Sequence, residues 1–334
     1  MDQPDISAIT LEAIRARAQE LAPFVVRTPI VGVKCPALGR GRLHLKLELF
    51  QHTGTFKARG ALSNVRAIAP SDQAAGITAA SAGNHAIAAA WAARQCGMSS
   101  KVVMQNTANP YRVALAREEA TEVVMRDPGA PTFEEAARLA SEEGRTFVHP
   151  FDGINTFLGT AGVGLEFMQD VADLDAVVVS VGGGGLISGV AAAVKLNNPA
   201  CAVYGVEPIG AAGMSRSLAA GQPVTLASLD TLADSLAPPM ALTLGHAMCS
   251  KFVDEVVTLS DAQICAGMVV LAEDAKLAVE PAADAAMAGV LGPLRKRLQG
   301  KRAGVVVCGA NIDAAGFAEL ATRGQDHVAA LRGG

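Results

Sequence analysis

Short runs that are apolar at every position constrain the fold of this chain most. The clearest is Val177-Val178-Val179, inside a predicted strand over 176–181. A strand that is apolar on both faces is typical of a parallel sheet with helices covering both sides. Strand and helix patterns then alternate over most of the 334 residues. We therefore predict an α/β fold with a parallel sheet.

The segment from about 70 to 150 carries its own series of alternating strands and helices. We predict that 70–150 is a small inserted domain and that 1–69 and 151–334 together form a large domain. Three further predictions concern single elements. They are a helix over 5–22, a strand over 25–30 and one unbroken helix over 282–298.

Composition argues against several classes of protein. The net charge of −4 gives no reason to expect a nucleic-acid partner or an acidic membrane surface. The six cysteines form no C-x-x-C pair, which suits a reducing compartment and provides no zinc spacing. Residues 1–6 carry two aspartates and lack the basic start of a signal peptide. These features predict a soluble cytoplasmic protein with no membrane, nucleic-acid or metal partner.

Lys57 stands where a Thr- and Gly-containing stretch ends and a helical pattern begins. Backbone N–H groups at a helix start attract anions, and a lysine there can lie close to one. If it is partly desolvated, such a lysine can lose its proton and become an amine nucleophile. An ordinary surface lysine on a first helical turn would give the same pattern.

Two loops that follow predicted strands suggest anion binding. Residues 81–85 combine a hydroxyl and an amide with a helix start, which suits a carboxylate, although a simple N-cap loop is the alternative. Residues 182–185 are four consecutive glycines, whose N–H groups can wrap a phosphate. The G-x-G-x-x-G pattern is not met, because Ile187 or Ser188 stands at the third glycine position. A phosphate outside a nucleotide is favoured, and an NAD-dependent dehydrogenase remains as an alternative.

Cys308 follows the last apolar strand run, where its thiol can be a weak hydrogen-bond partner for a ring nitrogen or simply a buried core residue. Taken together, an amine, a phosphate loop, a carboxylate loop and a partner for a heterocycle describe one cofactor. That cofactor is pyridoxal 5'-phosphate, with an amino acid as the substrate.

With these motifs the chain resembles the fold-type II pyridoxal-phosphate enzymes, specifically the serine/threonine dehydratase (ammonia-lyase) and serine racemase family. The resemblance runs from Arg27 to Asn311 and rests on T-G-T-F-K-A-R-G-A at 53–61, S-A-G-N-H-A at 81–86 and the four glycines. It implies a tryptophan synthase β-like fold of two open, twisted, mostly parallel sheets flanked by helices. It also implies a homodimer or homotetramer.

The resemblance assigns roles to most of these residues. Lys57 would be the Schiff-base lysine, Phe56 would lie against the cofactor ring, Asn84 would bind its 3′ oxygen and Cys308 would face its ring nitrogen. Gly182, Gly183, Gly184, Gly185 and Leu186 would hold the phosphate. Ser81, Ala82, Gly83, Asn84 and His85 would bind the substrate, and 232–239 would line its side-chain pocket.

Two departures from the family pattern affect the predicted chemistry. Ala82 stands where the racemases carry a serine that acts as the second proton-transfer group, so elimination is favoured over racemisation. Glu207 matches the start of the racemases' divalent-metal site, but Gly213 stands where the second acidic ligand is expected. We predict no metal there.

The resemblance implies β-elimination of a β-hydroxy-L-amino acid, such as L-threonine or L-serine, to a 2-oxo acid and ammonia. A serine racemase or a hydroxyaspartate dehydratase on the same cofactor is the alternative. A non-catalytic binding protein on this fold is disfavoured, because the lysine and the cofactor loops are intact.

Overall fold

A computed structural model describes residues 4–333. Within that range the chain forms ten strands: β1 (Ile30–Val33), β2 (Arg42–Leu47), β3 (Ile77–Ser81), β4 (Ser100–Gln105), β5 (Glu122–Arg126), β6 (Thr146–Phe147), β7 (Ala176–Ser180), β8 (Ala202–Pro208), β9 (Glu255–Leu259) and β10 (Arg302–Val307). The same range contains fourteen α-helices: α1 (Leu11–Leu21), α2 (Lys57–Arg66), α3 (Asn84–Gln95), α4 (Pro110–Glu118), α5 (Ala130–Glu143), α6 (Ile154–Asp170), α7 (Gly185–Asn197), α8 (Gly213–Ala220), α9 (Thr243–Phe252), α10 (Asp261–Val270), α11 (Pro281–Leu291), α12 (Arg295–Leu298), α13 (Ala314–Gly324) and α14 (Val328–Arg332).

The strands form two sheets, which confirms the predicted fold class. The larger sheet has the order β1-β2-β10-β7-β8-β9, and only the pairing of β1 with β2 is antiparallel. The smaller sheet has the order β5-β4-β3-β6 and is parallel throughout. Val177, Val178 and Val179 are all fully buried, as a strand covered on both faces requires.

Helix α2 packs against helices of both sheets. It contacts α3, which covers the small sheet, and α6, which covers the large one. Ala58, Leu62 and Val65 of α2 belong to the apolar cluster of the small sheet. The domain boundaries at 70 and 150 therefore stay a prediction, and Lys57 lies at the junction between the two sheets.

The three single-element predictions are wrong in part, each for a physical reason. Helix α1 begins only at Leu11, because the Thr10 side chain caps it by accepting a bond from Ala13 N. The segment 25–30 is not a strand before Ile30. There the N–H and C=O of Val26 are bonded by the Gln51 side chain instead of by a neighbouring strand. The helix predicted over 282–298 is two helices, since α11 ends before Gly292 and α12 begins at Arg295.

The loops that follow β3, β7 and β10 all open toward one cavity between the two sheets. This agrees with the general rule that ligands of parallel sheets lie beyond the carboxyl ends of the strands. No helix within residues 4–333 has both the length and the apolar character needed to cross a membrane.

Candidate active site

One cavity brings together all the predicted cofactor residues and most of the predicted substrate residues, but Leu232 and Ala233 of the predicted side-chain pocket do not line it. The predicted cofactor and substrate residues that line it are Phe56, Lys57, Ser81, Ala82, Gly83, Asn84, His85, Gly182, Gly183, Gly184, Gly185, Leu186 and Cys308. Residues 234–239 of the predicted side-chain pocket line the same cavity. The structure therefore places these residues around one cavity, and their roles toward a ligand stay predictions.

Backbone bonds to the segment after β10 fix the position of Lys57. Phe56 N donates to the carbonyl oxygen of Cys308 over 3.0 Å, and Ala310 N donates to Gly54 O over 3.0 Å. Between these bonds, Thr55 and Gly309 form an isolated antiparallel bridge. The lysine and the cysteine therefore border the cavity side by side, although 251 residues separate them in the sequence.

The amine of Lys57 lies in a poorly solvated place. Its Nζ donates to the carbonyl oxygen of Pro150 over 2.5 Å and lies 5.2 Å from the centre of the Phe56 ring. Burial disfavours its ammonium form and lowers the pKa to about 8, although Cys308 and Glu280 act in the opposite direction. A substantial fraction of this lysine is neutral near pH 8, so the surface-lysine alternative does not describe it.

Two helices begin at the cavity with their first turns uncapped. Helix α7 follows the four glycines, helix α3 follows the 81–85 loop, and no side chain of the described residues caps either of them. The first N–H groups of a helix lack intrahelical partners and attract anions. The alternative of a simple N-cap at 81–85 fails, because Ser81 Oγ accepts only from Gly83 N. The cavity therefore offers two separate anion positions.

The glycines of the 182–185 loop, at the start of α7, are needed for close packing. A Cβ at Gly183 would lie 2.2 Å from the Phe151 ring. Gly184 has a φ of +91°, which side chains rarely tolerate, and a Cβ there would lie 2.8 Å from the end of Met214. The loop thus presents backbone to the cavity with no side chain between.

The far side of the cavity contains a buried carboxyl that the sequence analysis missed. Asn84 Nδ2 donates to both oxygens of Glu280, at 2.7 and 2.9 Å, and Asn84 Oδ1 accepts from Asn311 Nδ2. Glu280 directly precedes Pro281 at the start of α11 and looks in the sequence like an ordinary helix-start acid. Burial raises the pKa of the neighbouring Cys308 thiol well above its usual value, and Glu280 raises it further, so the thiol is neutral.

Two histidines near Lys57 are held neutral. Burial, together with the positive charge of Lys57, lowers the pKa of His85 to about 3 and that of His149 to about 4. His85 Nε2 is bonded to Val148 O over 2.8 Å. His149 Nδ1 accepts N–H bonds from Phe151 and Asp152. Neither imidazole is a proton donor of useful strength at neutral pH.

Glu207 does not present a metal ligand to the cavity. Its two carboxylate oxygens accept N–H bonds from Met214 and Ser215 over 2.7 and 2.9 Å, so it caps helix α8. In the part of the chain that the structure describes, no three His, Cys, Asp or Glu side chains lie close enough to hold a metal ion together.

The sequence family described as pyridoxal-phosphate dependent enzyme matches residues 21–309. This chain belongs to that family. It is 47% identical to a phenylserine dehydratase of Ralstonia pickettii, over 94% of this chain and 95% of that protein. It is 36% identical to an L-threonine ammonia-lyase of Thermotoga maritima, over 91% of this chain and 76% of that protein. The solved structure of maize serine racemase superposes with a TM-score of 0.87 at 30% identity, covering 95% and 98% of the two chains.

These comparisons confirm the resemblance to the serine/threonine dehydratases and serine racemases, and they confirm the pyridoxal-phosphate cofactor. They decide against a nicotinamide-dependent dehydrogenase built on the Gly182 loop. The cavity of this pyridoxal-phosphate dependent enzyme fits the cofactor on three counts: the amine of Lys57, the uncapped start of α7 behind a side-chain-free loop, and the neutral Cys308 thiol. The relatives are named dehydratases, ammonia-lyases and racemases, so the predicted kind of enzyme is confirmed.

Proposed function

We propose that this enzyme dehydrates a β-hydroxy-L-amino acid with a bulky apolar β-substituent, giving a 2-oxo acid and ammonia. The observation that carries the proposal is the placement of Lys57. Its poorly solvated amine shares one cavity with two uncapped helix starts, one suited to a phosphate and the other to a carboxylate. A covalent attachment of the cofactor to Lys57 follows from that placement.

Each loop and residue that lines the cavity has a separate role in the proposed reaction. Bound pyridoxal phosphate supplies a conjugated ring that accepts the electrons left at the substrate Cα when its proton is removed. The 81–85 loop holds the substrate carboxylate at the start of α3, and the glycine loop holds the phosphate at the start of α7. Neutral Lys57 would take the Cα proton as the general base. That proton would balance the departure of the β-hydroxyl as water, and addition of one water to the released product would give the 2-oxo acid and ammonia.

Cys308 and Ala82 direct the outcome toward elimination. The neutral thiol of Cys308 lines the cavity and would transfer little proton to the ring nitrogen of a bound cofactor, which would limit the lifetime of negative charge at Cα and disfavour transamination. Ala82 lines the cavity but has no group that could deliver a proton to the opposite face of Cα. The racemase alternative therefore lacks a second proton donor at this position.

The side-chain end of the cavity supports a bulky apolar substituent. Phe133 lines the cavity and is 42% exposed. Leu236, Pro238 and Pro239 of the 234–239 loop line the cavity as well. Phenylserine, the substrate named for the 47% identical relative, has such a substituent. The charged groups that line the cavity are two cations, Lys57 and Arg112, and two carboxyls, Asp234 and Glu280. Arg112 is already paired with both carboxyls and Lys57 is assigned to the cofactor, which disfavours a substrate with a second carboxylate such as hydroxyaspartate.

A panel assay tests the substrate. L-threo-phenylserine, L-threonine, L-serine and L-threo-3-hydroxyaspartate are compared for 2-oxo acid release and for formation of the D-enantiomer. We expect the highest kcat/KM with phenylserine and no D-amino acid. Equal or better turnover of hydroxyaspartate, or D-serine formation matching pyruvate formation, would contradict the proposal.

Borohydride reduction followed by peptide mapping tests the attachment point separately. We expect the reduced cofactor on the peptide that contains Lys57. An adduct on another lysine would overturn the assignment whatever the substrate is. We also propose that 1–69 and 151–334 form a large domain, that 70–150 forms a small one, and that the enzyme is cytoplasmic. We further propose a homodimer or homotetramer, and sedimentation would measure this oligomeric state.

A further inference from the structure

Arg112 is a buried arginine that joins the two units of the enzyme. It lies on α4 beside the small sheet, and its side chain is only 7% exposed. Three of its donors bind three different segments near the large sheet. Nε donates to Asn311 O over 2.9 Å, Nη1 to Asp234 Oδ2 over 2.7 Å, and Nη2 to Glu280 Oε2 over 3.4 Å.

The stem of the same side chain supports the 81–85 loop. A Cβ at Gly83 would lie 2.4 Å from Arg112 Cδ, so glycine leaves the space that the arginine stem fills. The guanidinium end meanwhile holds Asp234, at the start of the loop that lines the side-chain pocket. One residue therefore touches both loops to which the proposed function assigns substrate contacts.

Arg112 also affects the ionisation of the Glu280 carboxyl, which accepts hydrogen bonds from Asn84. Burial raises the pKa of Glu280, and the groups that face it are Arg112 from α4, Asn84 from α3, Lys57 from α2, Cys308 after β10 and Asp234 from the pocket loop. Of these, Arg112 is the cation that contacts the carboxylate, and Lys57 acts from farther away. A buried carboxylate that loses its cation takes up a proton more readily. Protonated Glu280 would hold Asn84 Nδ2 less firmly, because a charged acceptor makes the stronger bond.

We propose that Arg112 is a positioning residue: it clamps the 81–85 loop to the 234–239 loop and provides the cation that contacts Glu280 beneath Asn84. It touches neither the reacting atoms nor the position of the general base. Its removal acts on substrate affinity and on the protonation of Glu280, while the proton transfer by Lys57 is affected less.

The test compares Arg112→Gln, Arg112→Lys and a matched control, Arg94→Gln, in the cofactor-loaded enzyme. Arg94 is a half-exposed arginine whose carboxylate partner, Glu119, lies in the same unit. Two quantities are measured: the pH at which the cofactor absorbance changes on the acid side, and KM against kcat for the preferred substrate. The absorbance titration needs no turnover, whereas the KM measurement rests on the proposed function.

We expect Arg112→Gln to move the acid-side midpoint upward by about one pH unit or more and to raise KM about tenfold, with a smaller fall in kcat. Arg112→Lys keeps the charge and should restore the wild-type midpoint. Its single ammonium cannot make all three hydrogen bonds of the guanidinium, so KM should stay raised. Arg94→Gln should leave both quantities at the wild-type values. A folded, cofactor-loaded Arg112→Gln enzyme with unchanged midpoint and unchanged KM would overturn the proposal.

A second variant keeps the test decisive if Arg112→Gln does not fold. Asp234→Asn removes the half-exposed partner and leaves no buried charge unpaired. We expect a severalfold rise in KM with no upward shift of the acid-side midpoint, because a negative charge near Glu280 has been removed. An unchanged KM in this variant would count against the clamp.

Discussion

The backbone N–H of Phe56 donates to the carbonyl oxygen of Cys308 over 3.0 Å. This bond ties the residue before Lys57 to the residue after β10, so the backbone holds Lys57 and Cys308 next to each other at the cavity. The bond depends on the backbone alone. Substitutions of either side chain should therefore change the chemistry of the site without moving it.

The protonation of Lys57 should control how fast the cofactor-free enzyme captures pyridoxal phosphate. The pKa of Lys57 is lowered to about 8 by burial, and only the neutral amine attacks an aldehyde. At pH 6 about one lysine in a hundred is neutral, so capture should be slow there and rise through about pH 8. Stopped-flow absorbance from pH 6 to 10 measures this rate. Lys57→Ala should show no covalent capture, Lys101→Ala should behave as the wild type, and a pH-independent rate would contradict the argument.

Gly183→Ala should weaken cofactor binding. The added Cβ would meet the Phe151 ring at 2.2 Å, so either the ring or the phosphate loop must move. Overpacking of this kind costs about 1–3 kcal/mol, which corresponds to a loss of about tenfold or more in affinity if the loop moves. Equilibrium titration with pyridoxal phosphate measures it. Gly32→Ala is the control, since a Cβ there meets nothing within 4 Å. Full affinity in Gly183→Ala would show that the loop tolerates a side chain.

Ala82→Ser should add racemase activity to the enzyme. The hydroxyl would enter the cavity at the position where the related racemases carry their second proton-transfer serine. We expect D-enantiomer formation from an L-amino acid to become detectable while elimination persists, measured by chiral chromatography. Ala79→Ser, at a fully buried position of β3 that does not line the cavity, provides a control for a serine added nearby. Absence of the D-enantiomer in Ala82→Ser would mean that the proton donor needs more than a hydroxyl at 82.

Much of this site was predictable because its parts are local in sequence. The loops at 81–85 and 182–185 follow strands of parallel sheets, and the carboxyl ends of such strands meet at one edge. Glu280 and Arg112 were not predictable. A helix-start acid and a helical arginine are common surface patterns, and only the approach of α4 to α11 buries the two together.

The fold, like the site, was predictable where local patterns determine it and not where distant side chains do. Regular apolar runs predicted the buried strands such as β7, where burial on both faces leaves no alternative. The strand predicted over 25–30 failed because its residues have strand-like composition but no strand partner at Val26. The Gln51 side chain takes the backbone bonds of Val26, and a side chain distant in sequence cannot be read from a periodic pattern.

Magnesium should neither stabilise nor activate this enzyme, because Glu207 is already bonded to the start of α8. We expect the same thermal midpoint and the same turnover in EDTA and in millimolar Mg²⁺. Burial raises the pKa of Glu207 to about 7 in spite of these two bonds, so the wild type loses stability as the pH rises from about 4 to 7, and Glu207→Gln should lack that loss. Glu319→Gln, at an exposed position on α13, is the matched control. A Mg²⁺-dependent rise in the thermal midpoint of the wild type would contradict this account.

Asp284 should destabilise the enzyme progressively as the pH rises. Its carboxyl lies fully buried in α11, and neither oxygen has a hydrogen-bond partner among residues 4–333. Burial raises its pKa well above the usual value, so the folded protein holds a proton that the unfolded chain has lost above about pH 4. Stability therefore falls as the pH rises above that point.

Asp284→Ala removes this unpartnered group and should raise the unfolding free energy of the cofactor-loaded enzyme at pH 8 by about 1–3 kcal/mol. The gain should shrink toward pH 5, where less of the penalty is present in the wild type. Urea unfolding at the two pH values measures the difference, with Asp326→Ala at an exposed position as the control. An Asp284→Ala enzyme that is less stable than the wild type at pH 8 would mean that the carboxyl has a partner in the folded protein, and that its burial serves the fold.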